Sequence, residues 1–288
     1  MSATTSFTLA RVAITLLALA PAGRAAAGVF DVLEPDTAYT LFHPTPRGEL
    51  KPIIDPRGPR TVDAGHVQVG VDVIEGAWTQ PASSTAPTLQ LFAIDARLGL
   101  TRRTDVQVAF APYREAEVLQ YGGVMTPGRG IGDVTVRLGL NLWGNDGGLT
   151  AAGLVPYVRV PTATGGVGSG AFEGGVILPL TVALPAELTG LARAQLEFAD
   201  DAMGRRGVHP RVEVGGGLAR TVLGPVGAQV VWTTTADAER APFTYRHAVD
   251  AAGRVVIGRD LEVRAGASVG MLASEADIHP YLRVSYRR

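Results

Sequence analysis

Long segments in which apolar and polar residues alternate are the feature that most constrains this chain. Residues 134–143 read VTVRLGLNLW, in which valine and leucine alternate with threonine, arginine, glycine and asparagine. A period of two is typical of a β-strand with one apolar and one polar face. From residue 65 onward such segments follow one another, about twelve in all and each of roughly nine to thirteen residues. The pattern predicts an all-β, antiparallel fold.

The length of these segments indicates what their apolar faces contact. Strands of soluble proteins usually have about five or six residues, whereas strands that cross an outer membrane at a tilt have about 9–11. The apolar faces of 134–142, 178–184 and 261–269 carry no charge. The opposite faces carry more charged side chains than a buried sandwich core could hold. We therefore predict a transmembrane barrel with lipid outside, the alternative being a soluble barrel with its charges outside.

The connections between the segments alternate in length. GNDGG at 144–148 is short, as is Pro185-Ala186, whereas 114–129 and 235–243 are long. Up-and-down barrels of the bacterial outer membrane have short periplasmic turns and longer outer loops. The alternation predicts an antiparallel up-and-down transmembrane β-barrel of the outer-membrane type over residues 65–288, with about twelve strands.

The first 64 residues differ from the rest of the chain. Arg11, the apolar run VAITLLALAPA and the small residues of GRAAAG predict a cleaved secretory signal peptide over residues 1–27. Residues 28–64 contain six prolines and show no period. They are predicted to form an irregular, proline-rich periplasmic lead-in, which either extends freely or packs into the barrel. The expected location is the bacterial outer membrane.

Composition and motifs argue against several classes of function. The net charge of −1 gives no basis for binding nucleic acid, and the absence of cysteine removes disulfides and thiolate metal sites. The five histidines are scattered without ligand spacing. GRGIGD at 128–133 opens a strand and lacks the Lys-Ser/Thr of a phosphate loop. We predict no metal, no cofactor, no catalytic residue and no enzyme activity.

The polar faces predict the residues that line the barrel lumen. Eight-stranded barrels are filled by side chains and those of sixteen strands leave a water channel, so about twelve strands lie between these cases. Inward charges can then set the charge preference of a pore or pair with one another and fill it. The predicted lumen-lining residues are Arg137, Asn141, Arg159, Arg193, Gln195, Glu197, Arg211, Glu213, Gln229, Glu262 and Arg264. Trp78, Trp143 and Trp232 lie near predicted strand ends and are expected at the membrane interfaces.

Three stretches resemble a known family. GDVTVRLGLNLWGNDGG, GLVPYVRVPTATGGVGSGAFEGGVILPLTVALP and TVDAGHVQVGVDV are similar to the outer-membrane barrel family named for the MetA pathway of phenol degradation. The shared features are the Gly-Asp strand start, the NLWGNDGG turn, Pro161-Thr162 and the strand start EGG at 173–175. The resemblance implies a transmembrane barrel through which small molecules, aromatic ones among them, pass. The chain departs from the pattern in its longer lead-in and in its end, YLRVSYRR, which places two arginines after the final aromatic residue.

Two functions are compatible with these patterns. One is an outer-membrane channel or transporter for passive or facilitated passage of small solutes. The other is a closed barrel that acts as a structural or interaction protein and transports nothing. The expected partners in either case are outer-membrane lipid and the outer-membrane assembly machinery, with a small-molecule solute in the first.

Overall fold

The computed structural model describes residues 39–55, 57–77, 88–119, 125–201, 207–238, 244–271 and 278–288. Within these residues the chain forms one antiparallel sheet and one short 3-10 helix at Arg47–Glu49. No helix in this part of the chain is long and apolar enough to cross a membrane. The strands are β1 (Val67–Ala77), β2 (Thr88–Thr101), β3 (Thr104–Phe110), β4 (Tyr113–Leu119), β5 (Met125–Gly130), β6 (Val134–Trp143), β7 (Thr150–Val160), β8 (Glu173–Ala183), β9 (Leu188–Asp200), β10 (Val208–Leu223), β11 (Val226–Asp237), β12 (Thr244–Ile257), β13 (Leu261–Gly270) and β14 (Ile278–Arg287).

The sheet closes on itself. β1 pairs with β2 on one side and with β14 on the other, β3 pairs with β6, and from β6 to β14 each strand pairs with the next. β4 and β5 stand outside this ring, so the barrel has 12 strands. Closure leaves no edge strand within the ring itself, and β5 is the edge of the part outside it. The prediction of an antiparallel up-and-down barrel of about twelve strands is confirmed.

One connection differs from its predicted form. Residues 114–129 were expected to be a long loop, but β4 and β5 pair there from Arg114–Gly130 to Leu119–Met125. β4 also pairs with the first part of β2. The proline and glycines of MTPGRG conceal the alternation on which strand prediction depends. The hairpin extends the wall beyond the end of β3, because β4 pairs with the part of β2 that β3 does not reach.

The two ends of the barrel are different. One end carries the short turns, for example Gly224-Pro225 between β10 and β11. The first strand begins and the last strand finishes at this same end. There the backbones of Val67 and Arg288 exchange hydrogen bonds of 2.9 and 2.8 Å. We call this the short-turn end and the opposite one the long-loop end. The even number of strands brings the first and last strands to the same end.

The charged face of the sheet points inward and the apolar face points outward. Gln107 and Asp105 are fully buried, whereas Leu138, Leu178 and Val212 on the opposite face are exposed. Soluble proteins show the reverse distribution. The alternative of a soluble barrel with its charges outside is therefore wrong.

The last part of the lead-in lies inside the barrel. Thr61 and Val62 are each 1% exposed and Ala64 is completely buried. We call residues 51–55 and 57–64 the plug, because they occupy the short-turn half of the lumen, whereas residues 41–44 and 46–49 are exposed. Of the two predicted alternatives, the packed one holds for these residues. The predicted signal peptide and the first part of the lead-in lie outside the described residues.

Candidate functional site

The contents of the lumen decide what could pass through the barrel. Twelve strands about 4.8 Å apart and tilted by about 40° enclose a ring roughly 24 Å across between backbones. Side chains from opposite walls shorten this span, and the plug shortens it further. The candidate site is therefore the lumen around the plug.

A buried ion pair of the wall holds the plug. Arg97 on β2 and Asp105 on β3 pair at 2.6 Å, with side chains 2% and 0% exposed. Arg97 donates hydrogen bonds of 3.2 Å to the backbone carbonyls of Asp55 and Arg60. Asp105 accepts a 2.9 Å hydrogen bond from the backbone N–H of Val62. The pair thus supplies the donors and acceptors that an irregular backbone inside a barrel requires.

Side-chain amides supply further partners for the plug backbone. Gln68 forms two hydrogen bonds with Ile54, one to its N–H at 2.9 Å and one to its C=O at 2.6 Å. Asn141 donates a 2.8 Å hydrogen bond to the carbonyl of Pro59, and Asn145 accepts one of 2.9 Å from the N–H of Thr61. An amide carries both a donor and an acceptor, so it can replace a missing strand neighbour.

The innermost part of the plug is a tight turn. The N–H of Gly58 donates to the carbonyl of Asp55 at 2.9 Å, and the N–H of Arg57 donates to the Asp55 carboxylate at 2.9 Å. Arg264 on β13 pairs with the same carboxylate at 2.5 Å. Burial opposes the charge of Asp55, but the adjacent Arg264 outweighs it and holds the pKa of that carboxyl well below its usual range. The turn is anchored by an ion pair that stays charged at neutral pH.

Arg57 projects from this turn into the lumen. Its side chain is accessible to solvent within the lumen, which the barrel wall surrounds. It forms no ion pair within 4 Å among the described residues. Burial opposes its charge, but the carboxylates around it, those of Glu75, Asp72 and Glu213 among them, raise its pKa. Glu75 and Asp72 lie on β1, and Glu213 lies on β10 across the barrel. Asp55, two residues before Arg57, is held by Arg97 on β2 and Arg264 on β13, so Arg57 lies within the lumen.

Ion pairs between strands line the wall at this level. Arg137 on β6 pairs with Asp95 on β2 at 3.0 Å, and Arg193 on β9 pairs with Glu213. Arg283 on β14 pairs with Asp72 at 2.8 Å. The wall arginines are thus largely neutralised by wall carboxylates.

A second group of pairs lies nearer the long-loop end. Arg159 pairs with Glu173 and lies 3.6 Å from Glu197. Arg211 pairs with Asp237 at 2.8 Å and lies 3.8 Å from Glu197. The Arg159 and Arg211 side chains are each 35% exposed. This half of the lumen is accessible to water, in contrast to the half that the plug fills.

The structure places the predicted lumen-lining residues on the inner face but in different settings. Glu262 and Arg264 pair with each other at 3.0 Å near the plug, and Asn141 contacts the plug itself. Gln195 donates a 2.9 Å hydrogen bond to the hydroxyl of Tyr157. Gln229 lies apart from both groups, opposite Ala219 and Ala252. The ion pairs described above bring together Arg137, Arg159, Arg193, Glu197, Arg211 and Glu213 with wall residues of opposite charge.

Sequence reasoning missed the residues that hold the plug. Arg97 and Asp105 follow the inward alternation of β2 and β3 and could have been found, had the alternation in 88–100 been clearer. Asp55 and Arg57 carried no signal, because the lead-in has no period. Among the described residues no group of three or more histidines and carboxylates is suited to a metal ion.

The tryptophans differ in position. Trp143 ends β6 and donates a 3.2 Å hydrogen bond to Thr150. Trp232 lies in the middle of β11 rather than near a strand end, because the strand continues to Asp237. Its ring stacks on that of His247, with centroids 6.4 Å apart. Trp78 lies outside the described residues, and the expected interface role of all three stays a prediction.

Comparison with known proteins agrees with this architecture. An outer membrane channel from Pseudomonas putida F1 superposes with a TM-score of 0.58 at 12% identity, over 82% of this chain and 100% of that one. The NanC porin superposes with a TM-score of 0.50 at 9% identity, over 76% and 98% of the two chains. At such identities the likeness shows a shared fold, that of outer-membrane β-barrels. None of the curated proteins compared matches the sequence.

A family model provides the link in sequence. The model described as "Putative MetA-pathway of phenol degradation" matches residues 53–287, from the inner part of the plug to the last strand. The match covers most of the chain. This protein, a 12-stranded outer-membrane-type barrel with a plug in its lumen, therefore belongs to that family.

Proposed function

We propose that this protein is an outer-membrane channel for passive or facilitated passage of small solutes. The observation that supports it is the lumen of a closed barrel in which charged side chains remain accessible to water, with Arg57 exposed and Arg159 and Arg211 each 35% exposed. A barrel with a purely structural role gains nothing from exposed inward charges, since a packed apolar interior is usually at least as stable. Water inside the lumen is what a passing solute requires.

The proposed location follows from the same arrangement. The exposed apolar outer face contacts outer-membrane lipid, and the short-turn end faces the periplasm, as in other barrels of this type. Export would depend on the predicted signal peptide at residues 1–27.

The solutes that suit this lumen are small and carry both a ring and a polar group. The lining is polar, which argues against purely hydrocarbon solutes. Arginine guanidinium groups stack on aromatic rings. Within the wall, the Tyr157 hydroxyl accepts a hydrogen bond from Gln195 and the Tyr281 hydroxyl donates one to Asp250. A phenol combines these properties, and the family description points to phenol degradation. We propose small phenols as the solute class.

A second candidate function is a closed barrel without transport. The observation that favours it is the buried plug, whose Thr61, Val62 and Ala64 leave little space at the short-turn end. In this case the long-loop end would carry the activity as an interaction surface.

Solute entry into liposomes distinguishes the two functions. Folded protein, verified by its change in electrophoretic mobility on heating, is reconstituted, and swelling is measured with arabinose, sucrose and 4-hydroxybenzoate. Protein-free liposomes correct for solute that crosses lipid directly. A channel admits arabinose and 4-hydroxybenzoate faster than sucrose. Rates equal to those of protein-free liposomes for all three solutes would contradict the channel and favour the closed barrel.

A further inference from the structure

One charge within the lumen comes from the plug. Arg57 belongs to the lead-in, and its backbone is fixed by the hydrogen bond from its own N–H to Asp55 and by the pair of Asp55 with Arg264. The wall arginines Arg137 and Arg283 pair with carboxylates at 3.0 and 2.8 Å. The guanidinium nitrogens of Arg57 instead lie more than 4 Å from the carboxylate oxygens of the described residues, and its side chain is exposed.

The carboxylate that depends most on Arg57 is Glu75. Asp72 has Arg283 and Glu213 has Arg193 as wall partners, whereas Glu75 forms no ion pair within 4 Å among the described residues. Arg264, which anchors the plug turn, lies opposite Arg283, and Arg283 lies opposite Asp72. Glu75, opposite Tyr281, follows two rungs further along the same ladder. A charge that is not neutralised inside a narrow, low-dielectric passage controls which ions enter it.

We propose that Arg57 sets the charge preference of the channel by neutralising Glu75, with Asp72 and Glu213 as further partners. This inference rests on the proposed channel function. While Arg57 is present, the charges around the plug turn balance, so that a neutral solute such as a phenol meets no excess charge. Without it, Glu75 is exposed in the passage and favours cations.

The test measures the reversal potential of single channels in planar bilayers under a KCl gradient. The Arg57→Gln variant should shift the K⁺/Cl⁻ permeability ratio toward K⁺ on the order of tenfold. Glu75→Gln alone should shift it toward Cl⁻, since Arg57 is then in excess. The double variant should return to the wild-type ratio, and Arg57→Lys, which keeps the charge, should stay near it.

Arg129→Gln is the matched control. It removes the same charge from the hairpin of β4 and β5, where Arg129 is 66% exposed, and should leave the ratio unchanged. Guanidinium chloride at millimolar concentration should reduce the K⁺ current of Arg57→Gln by occupying the vacated position, and should not affect the wild type.

The outcomes separate the inference from the function on which it rests. Conducting channels in which neither Arg57→Gln nor Glu75→Gln changes the ratio would overturn the role of Arg57 and leave the channel function intact. The absence of current in folded wild-type protein and in all variants would overturn both. Arg57 has no ion pair to lose, and Glu75→Gln tests the same balance even if Arg57→Gln fails to fold.

Discussion

At the residue scale, Asp105 combines two tasks. It neutralises the buried Arg97, and it accepts a hydrogen bond from the plug at Val62. The guanidinium of Arg97 in turn donates to two plug carbonyls. The stability of the wall and the attachment of the plug therefore depend on the same buried carboxylate.

We expect Asp105→Asn to destabilise the barrel by about 3–5 kcal/mol, because it leaves the buried charge of Arg97 without a counter-charge. The measurement is the temperature at which the folded electrophoretic form is lost. Glu115→Gln is the control, since the pair of Glu115 with Arg129 at 3.1 Å lies on the exposed hairpin. Exposed pairs contribute about 1 kcal/mol or less, so equal losses in both variants would contradict the role of Asp105.

A second prediction at this scale concerns pH. Arg264 lowers the pKa of Asp55, so the anchor stabilises the folded plug fully above the ordinary aspartate value of about 3.9. That contribution is lost only as the pH falls through the lowered value of the folded state. The plug should therefore stay in place between pH 7.5 and pH 5, and the conductance of the reconstituted wild type should be the same at both values. Asp55→Asn should give a higher conductance at both values, and a rise between them in the wild type alone would contradict the anchor.

At the scale of elements, the plug crosses β2 at Gly99. A Cβ atom there would lie 2.1 Å from the carbonyl oxygen of Asp63 and 2.7 Å from that of Val62. Both atoms belong to the backbone, which cannot yield as a flexible side chain would. The hydrogen bonds of Gly99 with Gly65 and His66, at 2.9 and 3.0 Å, fix this approach.

We expect Gly99→Ala to displace the base of the plug while the barrel stays closed. The expected results are a higher conductance and cleavage of the lead-in by added protease at the short-turn end. Gly253→Ala on β12 is the control, because nothing lies within 4 Å of a Cβ atom at that position. A Gly99→Ala protein with wild-type conductance and protease resistance would show that the plug accommodates the methyl group.

Sequence patterns predict some elements of this fold and miss others for a physical reason. The strands repeat every two residues, so the barrel and the inward arginines such as Arg193 could be predicted. The plug has an irregular backbone whose hydrogen bonds go to side chains such as Gln68 and Asn145, and such bonds leave no period. Arg57 was missed for this reason, and β4 and β5 were missed because their composition resembles a loop.

At the scale of the whole molecule, the lumen has two unlike halves. The short-turn half is filled by the plug, and the long-loop half holds half-buried ion pairs around Arg159 and Arg211. The charged residues between the halves meet at the plug turn. A solute that enters from the long-loop end would therefore meet the opposite charges of Arg57 and Glu75 before it reaches the packed half.

The seam between β1 and β14 has a consequence for how firmly the barrel is closed. The plug directly precedes β1, and Arg287 near the end of β14 donates a hydrogen bond to the carbonyl of Lys51 in the plug. The plug is therefore connected to both strands of the seam, to β1 through the chain and to β14 through this hydrogen bond. Closure of the barrel and retention of the plug are thus coupled, so that loosening either one weakens the other.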